Sequence, residues 1–477
     1  MKEKSNKMIT SRDVDFAKWY TDVCKVADLV DYSSVKGSMI IRPYGYAIWE
    51  NIVSVFDRRF KETGHVNVQM PLFIPESLFN VEKEHVEGFA PEVAWVTHGG
   101  TEELEERMLV RPTSEVLFCE HYKRIIHSYR DLPLLYNQWC TIVRWERETR
   151  PFLRSREILW QEGHTMHATE TEAREETLKM LDVYREVQEE YLAIPVITGK
   201  KTEKEKFAGA EETYTIEAMM YDGIALQNGA SHYFGQGFAK AFDIKFLNKE
   251  NQLEHPYQTS WGVTTRMIGS IIMVHSDDLG LVLPPKIAPV AVAIIPIGED
   301  EKIHSLIDNL IIELKRKNIK YLVDTTDKSP GFKFAEAEVK GYPLRIEIGL
   351  RDLENGNVTI VRRDTLEKNI VPNHDAEFIV GECEKLLIEI QENLYNRSKE
   401  RRDSMIYKAN DYKEFLDIAQ SKPGFIISDW CGDQACEIKI KEDTTFKSRC
   451  IIDENAKGKC VCCGKDAKYN LYFGKQY

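Results

Sequence analysis

Long apolar runs are missing from this 477-residue chain. Its most apolar stretches, "IAPVAVAIIPIG" and "MIGSIIMV", fall far short of the roughly 20 residues that cross a bilayer, which excludes a helical membrane span. The N-terminus "MKEKSNKMITSRDVDF" carries basic residues without the apolar core of a secretory leader, so a cytoplasmic chain is expected. An excess of positive charge is missing too. The net charge of −13 argues against a surface coated with nucleic acid, while leaving room for a local basic footprint. Cysteines are not scattered as in a disulfide framework. Six of the ten fall between Cys431 and Cys463, and in a reducing compartment such a cluster favours metal. Neither an internal repeat nor a low-complexity tract is found.

What remains, 43% hydrophobic and 30% charged residues, describes a globular protein. One hydrophobic core stops growing well before this length, so two or three domains are expected. The clearest seam is "LVLPPKIAPVAV", where Pro284, Pro285 and Pro289 interrupt helix and set an extended linker. Beyond it "VAVAIIPIG", "KIHSLIDNLIIELKRKNI", "YLVDTT", "PLRIEIG" and "NVTIVRRD" alternate strand, helix and strand, which predicts an α/β domain of about 100 residues. The helical run "AEFIVGECEKLLIEIQENLYNRSKERRD" leads into the cysteine-bearing segment. The expected units are 1–284, 285–395 and 396–477.

The most informative stretch is "TIVRWERETRPFLRSREILWQEGHT". Two strand-like runs, "TIVRWE" and "EILWQEGH", flank a loop carrying Arg147, Arg150, Arg154 and Arg156. Alternate side chains of a strand share a face, so Arg144 and Glu146 group together, as do Trp160, Glu162 and His164. If the charged faces coincide, Arg144, Glu146, Glu162 and His164 form one constellation beside the Trp160 ring. A charged strand taken alone reads as a solvated face, but guanidinium groups around a proline turn suit polyphosphate oxygens, which they bind in bidentate fashion. In "SWGVTTRMIGSIIMVH", Arg266 stands where a Thr-rich turn enters an apolar helix, so guanidinium and helix end can act on one anion. "RPTSEVLFCEHY" opens with Pro112, hydroxyls and Glu115 at a predicted helix start, a pattern that ordinary capping also explains.

These residues carry a resemblance. "VRWE" with its arginine loop resembles motif 2 of the class II aminoacyl-tRNA synthetases, "GVTTRMIG" their motif 3, and "QMPLFIP" with Pro71 their dimer-interface motif 1. Together, "RPTSE", "FLRSREILWQEGHT", "LQNGASHYFGQ" and "TSWGVTTR" are similar to the prolyl-tRNA synthetases of the archaeal and eukaryote-like type, over essentially the whole chain.

The resemblance implies a mixed α/β architecture: an antiparallel catalytic sheet flanked by helices, an α/β anticodon-binding domain and a small zinc-binding α+β C-terminal domain. It implies a homodimer that activates L-proline with ATP and Mg²⁺ and loads tRNA(Pro). Carried over by motif position, Arg144 and Arg266 would be catalytic. Arg144 would bridge the proline carboxylate and the α-phosphate, and Arg266 would hold the γ-phosphate. Glu146, Arg154, Gln227 and Thr264 would complete the ATP site. Thr113 and Glu115 would receive the proline ammonium, with Trp160, Glu162, His164 and His232 around the ring. His232 also reads, from sequence alone, as an ordinary hydrogen-bonded histidine. In "GFKFAEAEVKGYPLRIEIGLRD", Glu338 and Lys340 would contact anticodon bases, although a solvated helix face explains each singly.

Cys431 and Cys436 form one C-x4-C pair, and "KCVCCGK" offers Cys460 with either Cys462 or Cys463 for a structural zinc. Cys463 is favoured, because a C-x2-C turn followed by Gly464 lets backbone amides approach the sulfurs, leaving Cys450 a spare thiol. Only the 62 residues from Thr165 to Leu226 separate the hairpin from "QNGASHY", too few for the editing domain of bacterial-type relatives. Clearing of mischarged tRNA is therefore expected from a separate protein. A non-catalytic relative would be expected to lose the ATP-binding arginines, and Arg144 and Arg266 are present.

Overall fold

The computed structural model describes residues 7–85, 92–372 and 375–477. Two helices prepare the floor of the first unit. Helix α1 (Phe16–Val26) starts where the Asp15 carboxylate accepts from the Lys18 amide, and α2 (Pro43–Glu62) starts on a proline already fixed near helical φ. Their apolar stripes, including Trp19, Ile48, Ile52, Phe56 and Phe60, pack with Tyr184 and Trp261 in the largest core.

The strands covering that core are β1 (Val66–Asn67), β2 (Leu134–Val143), β3 (Glu157–His167), β4 (Val196–Lys200), β5 (Glu212–Met219), β6 (Ala225–Gly235) and β7 (Tyr257–Thr264). Helix α3 (Glu115–Ile125) precedes β2, α4 (Glu170–Glu190) links β3 to β4, and α5 (Arg266–His275) follows β7. Strands β3, β7, β6 and β5 are consecutive antiparallel neighbours. Glu162, a strongly polar strand residue, lies opposite Gln138 on β2 and Gly262 on β7.

A second unit holds a five-stranded sheet in the order β9-β8-β10-β11-β12: β8 (Val292–Ile297), β9 (Tyr321–Val323), β10 (Leu344–Gly349), β11 (Asn357–Arg362) and β12 (Lys368–Pro372). Helices α6 (Glu301–Arg316), α7 (Pro330–Lys340) and α8 (Ala376–Ser404) accompany it. The boundary expected near residue 395 falls inside α8, which runs unbroken from the second unit to the third.

The third unit contains β13 (Ile406–Lys408), α9 (Tyr412–Ser421), β14 (Phe425–Trp430), α10 (Gln434–Thr444), β15 (Lys447–Asp453) and β16 (Tyr469–Gly474). It does not stand apart. Strand β15 pairs with β4 at Ile451 and Lys200, so one eleven-stranded sheet runs β13-β14-β16-β15-β4-β5-β6-β7-β3-β2-β1. Among the described residues no helix is long and apolar enough to cross a membrane.

His275, the last residue of α5, ties these parts together. It is only 2% exposed, its Nε2–H donates to the Leu192 carbonyl at 2.9 Å, and the hydroxyl of Ser398 on α8 lies 3.4 Å from Nδ1. Burial, opposed by the Leu192 contact and reinforced by Arg397 and Arg401, pushes its pKa down to about 3. The folded value lies below the unfolded one, so this contribution to stability is complete above pH ~6.5 and is lost as pH falls toward the folded value. We expect His275→Asn to start less stable at pH 8 yet to lose less on acidification from pH ~6.5 to ~5, its slope smaller by up to about 1.4 kcal/mol per pH unit. Denaturant midpoints measured across that range would show parallel curves if His275 were already protonated in the fold.

Candidate active site and cysteine cluster

A cavity of about 490 Å³ opens on the face of the sheet made by β3, β5, β6 and β7. Alternation along β3 sends Trp160, Glu162 and His164 into it together. Thr113, Glu115, Arg144, Gln227, His232, Thr264 and Arg266 line it as well. The structure therefore gathers ten of the twelve expected catalytic-unit residues. Glu146 and Arg154 do not reach the lining.

At one end lies a buried polar cluster. The Thr113 hydroxyl donates to Glu115 Oε2 at 2.5 Å. Glu162 accepts from the Ser114 amide at 3.1 Å, the Ser114 hydroxyl at 2.6 Å, Gln138 Nε2 at 2.7 Å and His164 Nε2 at 2.9 Å. Burial alone would raise its pKa, but the His164 contact and these further donors hold Glu162 down to about 2. Glu115 goes the other way, raised by burial and by the Glu162 charge, against the opposing pull of His164. The hydroxyls at the start of α3 thus serve the side-chain cluster. Ser114, at the N-cap position, makes no side-chain cap, so the capping pattern in "RPTSE" is not what its residues do here.

His232 stands on β6 with Nδ1 3.0 Å from the Thr213 hydroxyl and its ring 4.7 Å from that of Phe207. Burial and the neighbouring His164 push it down to about 3, which keeps the imidazole neutral.

The other end is cationic. The hairpin strands stop at Val143 and resume at Glu157, so Arg144 and Glu146 lie past the strand end that the alternation had assigned them. Arg144 remains tied in through its amide, which donates to Arg156 at 2.9 Å. Its guanidinium lies 4.9 Å from the Trp160 ring centroid and donates to the Pro112 carbonyl at 3.2 Å. Arg266, opening α5, donates to the Gln227 carbonyl at 3.1 Å. Burial lowers both guanidinium pKa values, Arg266 to about 10 with help from the charges of Arg144 and Arg154. No described carboxylate lies within ion-pair distance of either guanidinium, and Arg266 Nε, Trp160 Nε1 and His164 Nδ1 are buried without a hydrogen-bond partner. The two unsatisfied N–H donors among them, Arg266 Nε and Trp160 Nε1, suit an anionic ligand.

The four loop arginines do not converge as the sequence suggested. Arg147 is 88% exposed near Glu92, Arg154 is exposed, Arg150 lies 5.7 Å from the Tyr477 ring and Arg156 is spent on Trp145 at 4.1 Å. Sequence reasoning missed Ser114, Gln138 and Phe207. Ser114 lay within a quoted motif, whereas Phe207 belongs to a loop with no sequence signal of its own.

In the second unit, Glu338 is buried and paired with Arg345 at 3.0 Å. Lys340 donates to the Ala27 carbonyl at 3.0 Å and lies 3.5 Å from Asp28.

In the third unit the ligand atoms of Cys431, Cys436, Cys460 and Cys463 all lie within 4.8 Å of one another, with Sγ separations of 3.8 Å for Cys431–Cys436 and 3.7 Å for Cys431–Cys463. Thiolates ~2.3 Å from a tetrahedral zinc would sit about 3.8 Å apart. The set fits. Gly464, at φ 71°, takes the left-handed turn after Cys463 and donates its amide to the Cys460 carbonyl at 2.9 Å. Cys462 lies outside the four, and Cys450 is buried on β15.

Residues 95–275 match the tRNA synthetase class II core domain (G, H, P, S and T), 291–382 the anticodon binding domain and 412–477 the prolyl-tRNA synthetase C-terminal domain. A proline–tRNA ligase of Lachnospira eligens is 58% identical over 98% of both chains. The chain belongs to the proline–tRNA ligase family. A relative from Clostridium novyi is 57% identical over 100% of this chain and 99% of its own, and a proline–tRNA ligase 2 from Bacillus cereus is 55% identical over the full length of both. The crystal structure of prolyl-tRNA synthetase from Cryptosporidium parvum complexed with halofuginone and AMPPNP superposes with a TM-score of 0.93, at 40% identity over 98% of this chain and 99% of that one.

Proposed function

We propose that the chain activates L-proline with ATP and transfers the prolyl group to tRNA(Pro), working in the cytoplasm as a homodimer. One observation carries this reading: two half-buried guanidiniums, Arg144 and Arg266, with no described carboxylate at ion-pair distance, share a cavity with the buried acids Glu115 and Glu162. A zwitterionic amino acid fits between those poles, its ammonium on Thr113 and Glu115 and its carboxylate toward Arg144. The ring lies among Trp160, His164 and His232, with Glu162 fixing His164. The neutral state of His232 suits an apolar ring.

Attack of the proline carboxylate on the α-phosphorus expels pyrophosphate and gives prolyl-adenylate. The terminal ribose hydroxyl of the tRNA then takes the prolyl group. Charge accumulates on phosphate oxygens, so positioning and electrostatic stabilisation do the chemistry, and no protein nucleophile is needed. Arg144 spans carboxylate and α-phosphate, Arg266 holds the γ-phosphate, and Gln227 and Thr264 frame the nucleotide. Glu146 and Arg154 join them once ATP is bound. Mg²⁺ would offset charge between the phosphates. Apolar side chains at Val66, Leu72 and Phe73, between 41% and 54% exposed beside edge strand β1, support a dimer face around Pro71.

Arg144→Lys keeps the charge but loses the planar fork, and proline-dependent ATP–pyrophosphate exchange should fall by about a hundredfold or more with unfolding unchanged. Exchange near the parent rate would remove Arg144 from the reaction centre.

The four cysteine thiolates would hold a structural Zn²⁺. Cys463→Ser should lower the zinc recovered with protein purified without chelators, and Cys462→Ser should leave it at the parent level. The reverse pattern would exchange their roles, and no zinc in the parent would dismiss the site.

Alanine lacks methylenes worth only about 1–3 kcal/mol of discrimination, so it should be activated measurably. Between β3 and β6 the chain forms α4, β4, β5 and a short loop, which supports the reading that editing lies outside this chain. Added enzyme should leave preformed Ala-tRNA(Pro) hydrolysing at its spontaneous rate, and clear acceleration would reveal an editing centre here.

A further inference from the structure

The loop between β4 and β5 contributes Glu205, Lys206, Phe207 and Ala208 to the cavity wall, and Phe207 covers His232. Its base is built around Thr202, only 3% exposed, whose carbonyl accepts from the amides of Glu205 at 3.0 Å and Lys206 at 2.9 Å. The far side of Thr202 is held from outside the catalytic unit. Its hydroxyl donates to Glu437 Oε1 at 3.0 Å, and the Ser448 hydroxyl donates to the same oxygen. Glu437 is 2% exposed on α10, next to Cys436, and Ser448 is on β15. Arg449, fully buried beside Ser448, brings its guanidinium within 3.9 Å of Glu205 and 3.6 Å of Glu217. Two separate anchors of the third unit therefore grip one wall of the cavity.

We propose that Glu437, acting through Thr202, is a positioning residue for the amino-acid pocket, with Arg449 supporting the same loop through Glu205. The inference rests on the reading that the Thr113 and His232 end of the cavity receives proline. A buried carboxylate accepting two hydroxyl donors fixes the Thr202 rotamer and with it the two amides its carbonyl holds. Releasing that bond frees the loop to lift Phe207 from His232, which widens the pocket around a small ring without touching Arg144 or Arg266. The third unit thereby sets proline affinity although it supplies none of the lining residues.

The experiment is steady-state ATP–pyrophosphate exchange with the full-length enzyme carrying Thr202→Val, Glu437→Gln or Glu437→Ala. For Thr202→Val we expect the proline KM to rise roughly tenfold, the scale of one buried hydrogen bond to a charged acceptor, with kcat and the ATP KM within about twofold of the parent. Glu437→Gln, which keeps an acceptor oxygen, should retain most of the affinity that Glu437→Ala loses. Thr202→Val combined with Glu437→Ala should cost no more than the worse single change. Thr202→Val removes a hydroxyl within the catalytic unit and keeps the third unit intact, so the test survives if Glu437→Ala fails to fold. Thr113→Val serves as a pocket control. A raised proline KM in Thr113→Val with a parent value in Thr202→Val overturns the positioning role alone. Parent values in both overturn the pocket assignment with it, and equal losses of kcat and proline affinity reduce Glu437 to a general stabiliser.

Discussion

Strands β3 and β7 lie antiparallel with Gly163 opposite Trp261, and everything chemical in the catalytic unit depends on that register. A Cβ at residue 163 would lie 2.1 Å from the Trp261 ring, so the indole can rest on this strand only where the side chain is hydrogen. Fixing that pair places Glu162 opposite Gly262 and Trp160 opposite Thr264. Slippage by one residue would turn Trp160, Glu162 and His164 to the core face and bring Gln161 and Gly163 to the cavity. Phe60, Tyr184 and His65 pack around the same indole from behind, which makes the register a property of the core as much as of the hydrogen bonds.

Upon this frame the protein buries charge in an unbalanced way. At the acid end every Glu162 contact is a donor, and the carboxylate stays ionised although burial opposes it. At the cationic end the Arg144 charge weighs on Arg266, and each guanidinium donates to a backbone carbonyl. Desolvated charge without an opposite partner costs stability, and it persists in enzymes where a ligand of the opposite sign completes it. Held by backbone carbonyls and by no ion pair among the described residues, the guanidiniums can meet developing phosphate charge without first leaving a carboxylate.

The fold also joins what the sequence suggests are separate bodies. The β4–β15 pairing continues the catalytic sheet into the cysteine-bearing unit, and buried Lys201, Glu217 and Arg449 meet beside that seam. Lys201 donates to Glu217 at 2.6 Å within the catalytic unit, while Arg449 reaches the same carboxylate from the other side. Helix α8 adds a second bridge, since Arg402 donates to the Val196 carbonyl on β4 and Ser398 reaches His275. The units share buried and partly buried hydrogen bonds across their boundaries.

By itself the sequence determined the class of chain, the alternation that sends Trp160, Glu162 and His164 one way, and the motif residues that meet in one cavity. These are local or motif properties, such as a period of two along a strand. Tertiary structure decided the rest. It moved Arg144 off the strand, left Glu146 and Arg154 outside the lining, dispersed the loop arginines, and used the hydroxyls of "RPTSE" on Glu115 and Glu162 instead of on the helix end. It turned Glu338 and Lys340 inward, chose Cys463 over Cys462 for the cluster, and tied Thr202 to Glu437, 235 positions along the chain. The physical reason is common to these cases. Where a buried polar group finds its partner depends on which distant segment is brought beside it, and no periodicity along the chain records that distance.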